Sequence, residues 1–78
     1  GNIMTVKCKN LTNAIKASKA LAKHNINCSV IKLTDTKTGG GCIHAVSFSD
    51  EQINRALHIM YLNGIKLHNK ETLKYGGE

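Results

Sequence analysis

A strand-like stretch, a capped amphipathic helix and a second strand-like stretch occur in that order twice along this chain, and the recurrence constrains the fold more than any other feature. In the first half Met4, Val6 and Cys8 alternate with Thr5, Lys7 and Lys9, the period of two that sets one face of a strand against a core. Asn10 or Thr12 supplies a helix N-cap. Leu11, Ala14, Ile15, Ser18, Leu21 and Ala22 follow at helical spacing as one small-residue apolar stripe. His24-Asn25 ends that helix, because Asn tolerates the left-handed backbone of a helix stop, and Cys28 to Leu33 reads as a β-branched strand.

The second half repeats the order. After a polar, glycine-ended loop from Thr34 to Gly41, Ile43 to Phe48 reads as a strand, and Ser49-Asp50-Glu51-Gln52 has the form of a capping box. Ile53, Ala56, Leu57, Met60 and Tyr61 give the second helix its apolar stripe, Asn63-Gly64 its stop, and Ile65-Lys66-Leu67 a short fourth strand. Two right-handed βαβ crossovers whose central strands pair predict a ferredoxin-like α+β sandwich: a four-stranded antiparallel sheet with two helices on one face. Residues 4–68 are expected to form this single domain, and residues 69–78 a polar, mobile tail.

A chain of 78 residues holds one small domain, which buries only about 60–65% of its unfolded surface. With no Trp or Pro and three aromatics, its core is aliphatic. No apolar run has the length of a membrane span or the form of a signal peptide, so the expected compartment is the cytoplasm. Three cysteines, an odd number without CxxC spacing, fit free thiols better than a disulfide framework or a zinc site. The net charge of +6 favours acidic partners.

The chemistry concentrates at Gly39-Gly40-Gly41-Cys42. A triple glycine opens positive φ and close backbone approach, and it delivers a thiol to the head of a strand at the mouth of a loop. In the expected topology the third strand begins where the first strand ends and the first helix starts. Unpaired N–H groups at that helix terminus, with Lys9 close by, would stabilise a thiolate at Cys42. His44 shares the strand face of Cys42 and is the candidate base or thiolate partner. Antiparallel pairing brings Cys8 opposite Cys42 or within one position, which makes it the candidate resolving thiol; Cys28 falls at the other end of the sheet as a small core residue.

These residues resemble the small selenium/sulfur (Se/S) carrier protein-like family of bacterial single-domain proteins. The resemblance runs from Met4 to about Leu67. It rests on the opening strand with its alanine-rich helix, the turn Asn25-Ile26-Asn27-Cys28, and the segment Gly41-Cys42-Ile43-His44-Ala45-Val46-Ser47-Phe48. Cys42, Ala45 and Phe48 match the family pattern; Ile43 stands where a small residue is usual and His44 where an apolar one is. The resemblance implies a thiol at Cys42 that carries sulfur or selenium as a persulfide or selenosulfide, with unidentified donor and acceptor proteins as partners.

Other readings compete. A noncatalytic ligand-binding or interaction module would use the Thr34 to Gly41 loop and leave Cys42 incidental. Lys16, Lys19 and Lys23 line one helix face, which is most simply a solvated face and otherwise a surface for an acidic partner. Nucleic-acid binding ranks third, since the first strand offers Thr5, Lys7 and Lys9 rather than stacking aromatics. Cys42, His44, Cys8 and His68 match no metal-ligand spacing, and the carrier cycle calls for no cofactor. His24 and His58 are read as surface residues and Gly76-Gly77 as part of the tail. The sheet face away from the helices, with Thr5, Lys7, Lys9, Ile43 and Ala45 as its candidate residues, is a candidate homodimer interface.

Overall fold

A computed structural model of the chain describes residues 2–34 and 42–68. The Gly39–Gly41 run, most of the expected loop and the 69–78 tail with Gly76-Gly77 lie outside the described residues. Three strands, β1 (Ile3–Cys8), β2 (Cys28–Thr34) and β3 (Cys42–Ser49), form one sheet in the order β1-β3-β2, and both pairings are antiparallel. Helix α1 (Leu11–Lys23) connects β1 to β2, and a 3₁₀ turn (Asp50–Gln52) leads from β3 into α2 (Ile53–Leu62). The architecture is α+β, a three-stranded antiparallel sheet with two helices, and is compatible with a ferredoxin-like arrangement.

The segment expected as a fourth strand contributes one antiparallel bridge pair, Leu67 with Cys8. The Lys9 N–H donates to the Lys66 carbonyl at 2.9 Å and the His68 N–H to the Lys7 carbonyl at 3.0 Å. Two chain turns limit the ladder here. β1 leaves the sheet after Cys8 to enter α1, and any continuation down β1 falls on residue 69 onward, outside the described residues.

Alternation sets the two faces of the sheet. Val6 and Cys8 of β1 and Val46 and Phe48 of β3 join the helices in the core. Their neighbours Thr5, Lys7, Ala45 and Ser47 lie on the opposite face. Ala45 is fully buried on that open face, between its cross-strand neighbours Lys7 and Ile31.

The buried line of α1 is Ala14, Ala17, Ala20 and Leu21, whereas Leu11 and Ile15 remain 44% and 40% exposed. The expected stripe of Leu11, Ala14, Ile15, Ser18, Leu21 and Ala22 shares only Ala14 and Leu21 with this line. The helix instead turns its alanines to the sheet, which permits close approach and moves Leu11 and Ile15 to its flank. A similar shift occurs on α2, where Ile59 is buried and Tyr61, expected in the stripe, is 69% exposed.

The caps follow local chemistry. Asn10, not Thr12, caps α1: its Oδ1 accepts from the Asn13 N–H at 2.9 Å and from Asn13 Nδ2 at 2.8 Å. Asn13 Oδ1 in turn accepts the Lys66 N–H at 2.8 Å, tying the start of α1 to the segment after α2. Ser49 Oγ accepts the Glu51 N–H at 3.4 Å, and Gln52 turns its side-chain oxygen to Arg55 (3.3 Å) instead of back to Ser49. The stops read from sequence are present, with Asn25 at φ 65° and Gly64 at φ 67°. Asn10→Ala is expected to cost about 1 kcal/mol, and Thr12→Ala less than about 0.5 kcal/mol, both measured by urea unfolding.

Candidate functional site

The β2–β3 ribbon outruns β1. Pairing between β1 and β3 ends at Cys8 with His44, while pairing between β2 and β3 continues through Leu33 with Ile43 to Thr34 with Cys42. Cys42 therefore sits on a two-stranded extension, with no β1 residue on its other side. This explains why it is exposed while the rest of β3 from Ala45 to Phe48 is largely enclosed. Parity along β3 puts Cys42 and His44 on the face that Val46 and Phe48 present to the helices.

α1 is anchored to β2 near the middle of the helix. The Cys28 thiol donates to the Ser18 carbonyl at 3.6 Å and to Ser18 Oγ at 3.7 Å, which fixes the helix over the beginning of β2. At the helix terminus the Asn13 N–H is already taken by the Asn10 side chain.

His44 is half-buried and lies between two cross-strand neighbours, Cys8 on β1 and Lys32 on β2. Lys9, the expected cationic neighbour of Cys42, lies past the last β1–β3 pair, where its backbone turns away to Lys66. Lys32 is the lysine that the register sets on the same face, diagonal to Cys42. The sequence signal for it was available: in Cys28-Ser29-Val30-Ile31-Lys32-Leu33-Thr34, alternation gives Lys32 and Thr34 the parity of Cys28.

Cys8 and Cys42 are not brought opposite one another. Cys8 faces His44, and the diagonal to Cys42 spans about 7–8 Å between Cα atoms, beyond ordinary disulfide reach. Cys8 is fully buried, its thiol pointing to the Val6 carbonyl at 3.8 Å, and burial pushes its pKa from 9.0 up to about 11. A thiol so placed is a poor nucleophile near neutral pH. Cys28 is half-buried against Ser18.

The burial of Cys8 has a consequence for stability. Folding raises this acid's pKa, so the unfolded chain loses the proton first as pH rises, and stability is lost between 9.0 and about 11. The loss attributable to Cys8 is about 3 kcal/mol once both states have ionised. Urea midpoints followed from about pH 8 to pH 11 are expected to fall more steeply for the parent than for Cys8→Ala, which shares every lysine and tyrosine titration.

Among the described residues, no group of three or more His, Cys, Asp or Glu side chains converges to hold a metal ion. No described helix is long and apolar enough to cross a membrane. Comparison with protein-family models, curated proteins and solved structures found no match.

Proposed function

We propose that this protein is a thiol carrier that accepts sulfane sulfur or selenium at Cys42 and passes it on. The observation that carries the reading is the contrast among the three free thiols. Cys8 is buried, Cys28 is half-buried on Ser18, and Cys42 is exposed at the protruding end of the central strand. The resemblance of the Gly41 to Phe48 segment to Se/S carrier-like proteins supports the same assignment.

The step is a thiol exchange. The Cys42 thiolate attacks the outer sulfur of a donor persulfide, the bond between the two donor sulfurs breaks, and the donor leaves as its thiolate. Cys42 then holds the persulfide, and attack by an acceptor thiolate on its outer sulfur restores the Cys42 thiolate. His44, the next residue on the same strand face, takes the thiol proton directly or through one water, and Lys32 adds positive charge from the neighbouring strand. No oxidant or reductant is consumed in either direction.

The bridge between Leu67 and Cys8 on the outer edge of β1 supports reading the domain as a ferredoxin-like βαββαβ sandwich with a fourth edge strand. Its open sheet face, with Ile31, Leu33, Ile43 and Ala45, is the proposed homodimer surface, and the cytoplasm is the proposed compartment. Cys42→Ser tests the carrier against a noncatalytic binding module. The carrier loses all transfer with its fold intact, whereas a module retains its partner.

A further inference from the structure

Both α-helices among the described residues lack carboxylates. α1 carries Lys16, Lys19 and Lys23, α2 carries Arg55, and neither contains Asp or Glu. Surface helices ordinarily mix charge signs, because opposite charges three or four residues apart stabilise a helix and like charges destabilise it. Lys19 here has Lys16 and Lys23 as its helical neighbours, so the free helix bears repulsion that a single Glu would remove.

The charges line a groove. Lys16, Lys19 and Lys23 stand with Ala20, Ala22 and Asn63 around an open depression of about 520 Å³. Just past Lys23 the Arg55 guanidinium donates to the His24 carbonyl at 3.1 Å, holding a fourth cation at the end of α1. The apolar part of the lining is small: Ala20, which is 9% exposed, and Ala22.

We propose that this groove docks an acidic amphipathic helix of a partner protein. From Lys16 to Lys23 the cationic wall spans about 10.5 Å, two turns of helix. It therefore matches carboxylates at i, i+3 and i+7 on a facing helix, whose apolar side covers Ala20 and Ala22. Single-stranded nucleic acid is the poorer occupant, because it binds on aromatic platforms and this groove is lined by none. The proposal is independent of the thiol chemistry, since Cys42 lies at the end of the sheet and is not among the residues that line the groove.

The test uses the full chain and a helical peptide of about 20 residues, with Glu at i, i+3 and i+7 and leucines on the adjoining face. Backbone amide shifts are expected to change at Lys16 to His24 and at Asn63, and binding to weaken with added salt. K19E places Glu four residues before Lys23, the favourable helical order. It is therefore expected to melt no lower than the parent while binding the peptide about tenfold more weakly; Cys42→Ser binds as the parent does. Peptide binding unchanged in K19E, or shifts centred on Lys7, Lys9 and Lys32, would overturn the proposal. Tighter binding of a single-stranded RNA of matched charge would replace the acidic helix with a nucleic acid as occupant.

Discussion

Phe48→Ala is expected to destabilise this domain by about 3–5 kcal/mol. Phe48 is the single phenylalanine of the chain, 2% exposed, on the central strand between Met4 of β1 and Cys28 of β2. It belongs to the core shared by both helices. The loss belongs in the usual range of about 3–5 kcal/mol for Phe→Ala. A domain of this size holds about 0.05–0.15 kcal/mol of stability per residue, roughly 4–12 kcal/mol in all, so the substitution removes a large share of it. Urea unfolding followed by circular dichroism reads the effect. Tyr61→Ala, an aromatic truncation at a residue 69% exposed, is the control and should shift stability by less than about 0.5 kcal/mol.

That contrast between Phe48 and Tyr61 marks what the sequence could and could not reveal. Alternation in Met4–Cys8 made that strand legible, because a period of two has few other causes. Ile43–Phe48 was legible as a short apolar-rich run between a glycine-ended loop and a capping box. Their pairing followed from the handedness of βαβ crossovers. Asn25 and Asn63-Gly64 were legible as helix stops, since the left-handed backbone restricts which residues can stand there. The rotation of the helices was not. Leu11, Ile15 and Tyr61 belong to plausible apolar stripes, but the alanine line and Ile59 pack instead, and that choice is made by the fit of the whole helix layer to the sheet.

The site was legible in part. Cys42 and His44 share a face by alternation alone, and the sheet keeps them there. The relation of Cys8 to Cys42 depended on register, which a strand pattern does not specify: the ladder pairs Cys8 with His44, and β1 ends there. The same register set Lys32 beside His44, a neighbour not expected from the sequence. A lysine on an edge strand attracts no notice until its partner strand is known.

Cys42→Ser is expected to remove persulfide acceptance altogether, because no second thiol of the chain can substitute. Cys8 is enclosed and its pKa is raised to about 11, and Cys28 donates to the Ser18 carbonyl from a half-buried position. Serine preserves the size of an exposed side chain at the end of a ribbon, so the fold should be unaffected and the melting curve superimposable on the parent's. His44→Ala should slow acceptance without abolishing it, about 10- to 100-fold, as expected for loss of a proton acceptor rather than of the nucleophile.

The most direct measurement is intact mass spectrometry of the folded protein after exposure to a small-molecule persulfide donor, followed by peptide mapping. The predicted result is an adduct of one sulfur atom, about 32 Da, that maps to Cys42, disappears on reduction and is absent in Cys42→Ser. Equal labelling of Cys8, Cys28 and Cys42, or an adduct that survives in Cys42→Ser, would contradict the assignment of Cys42 as the carrier.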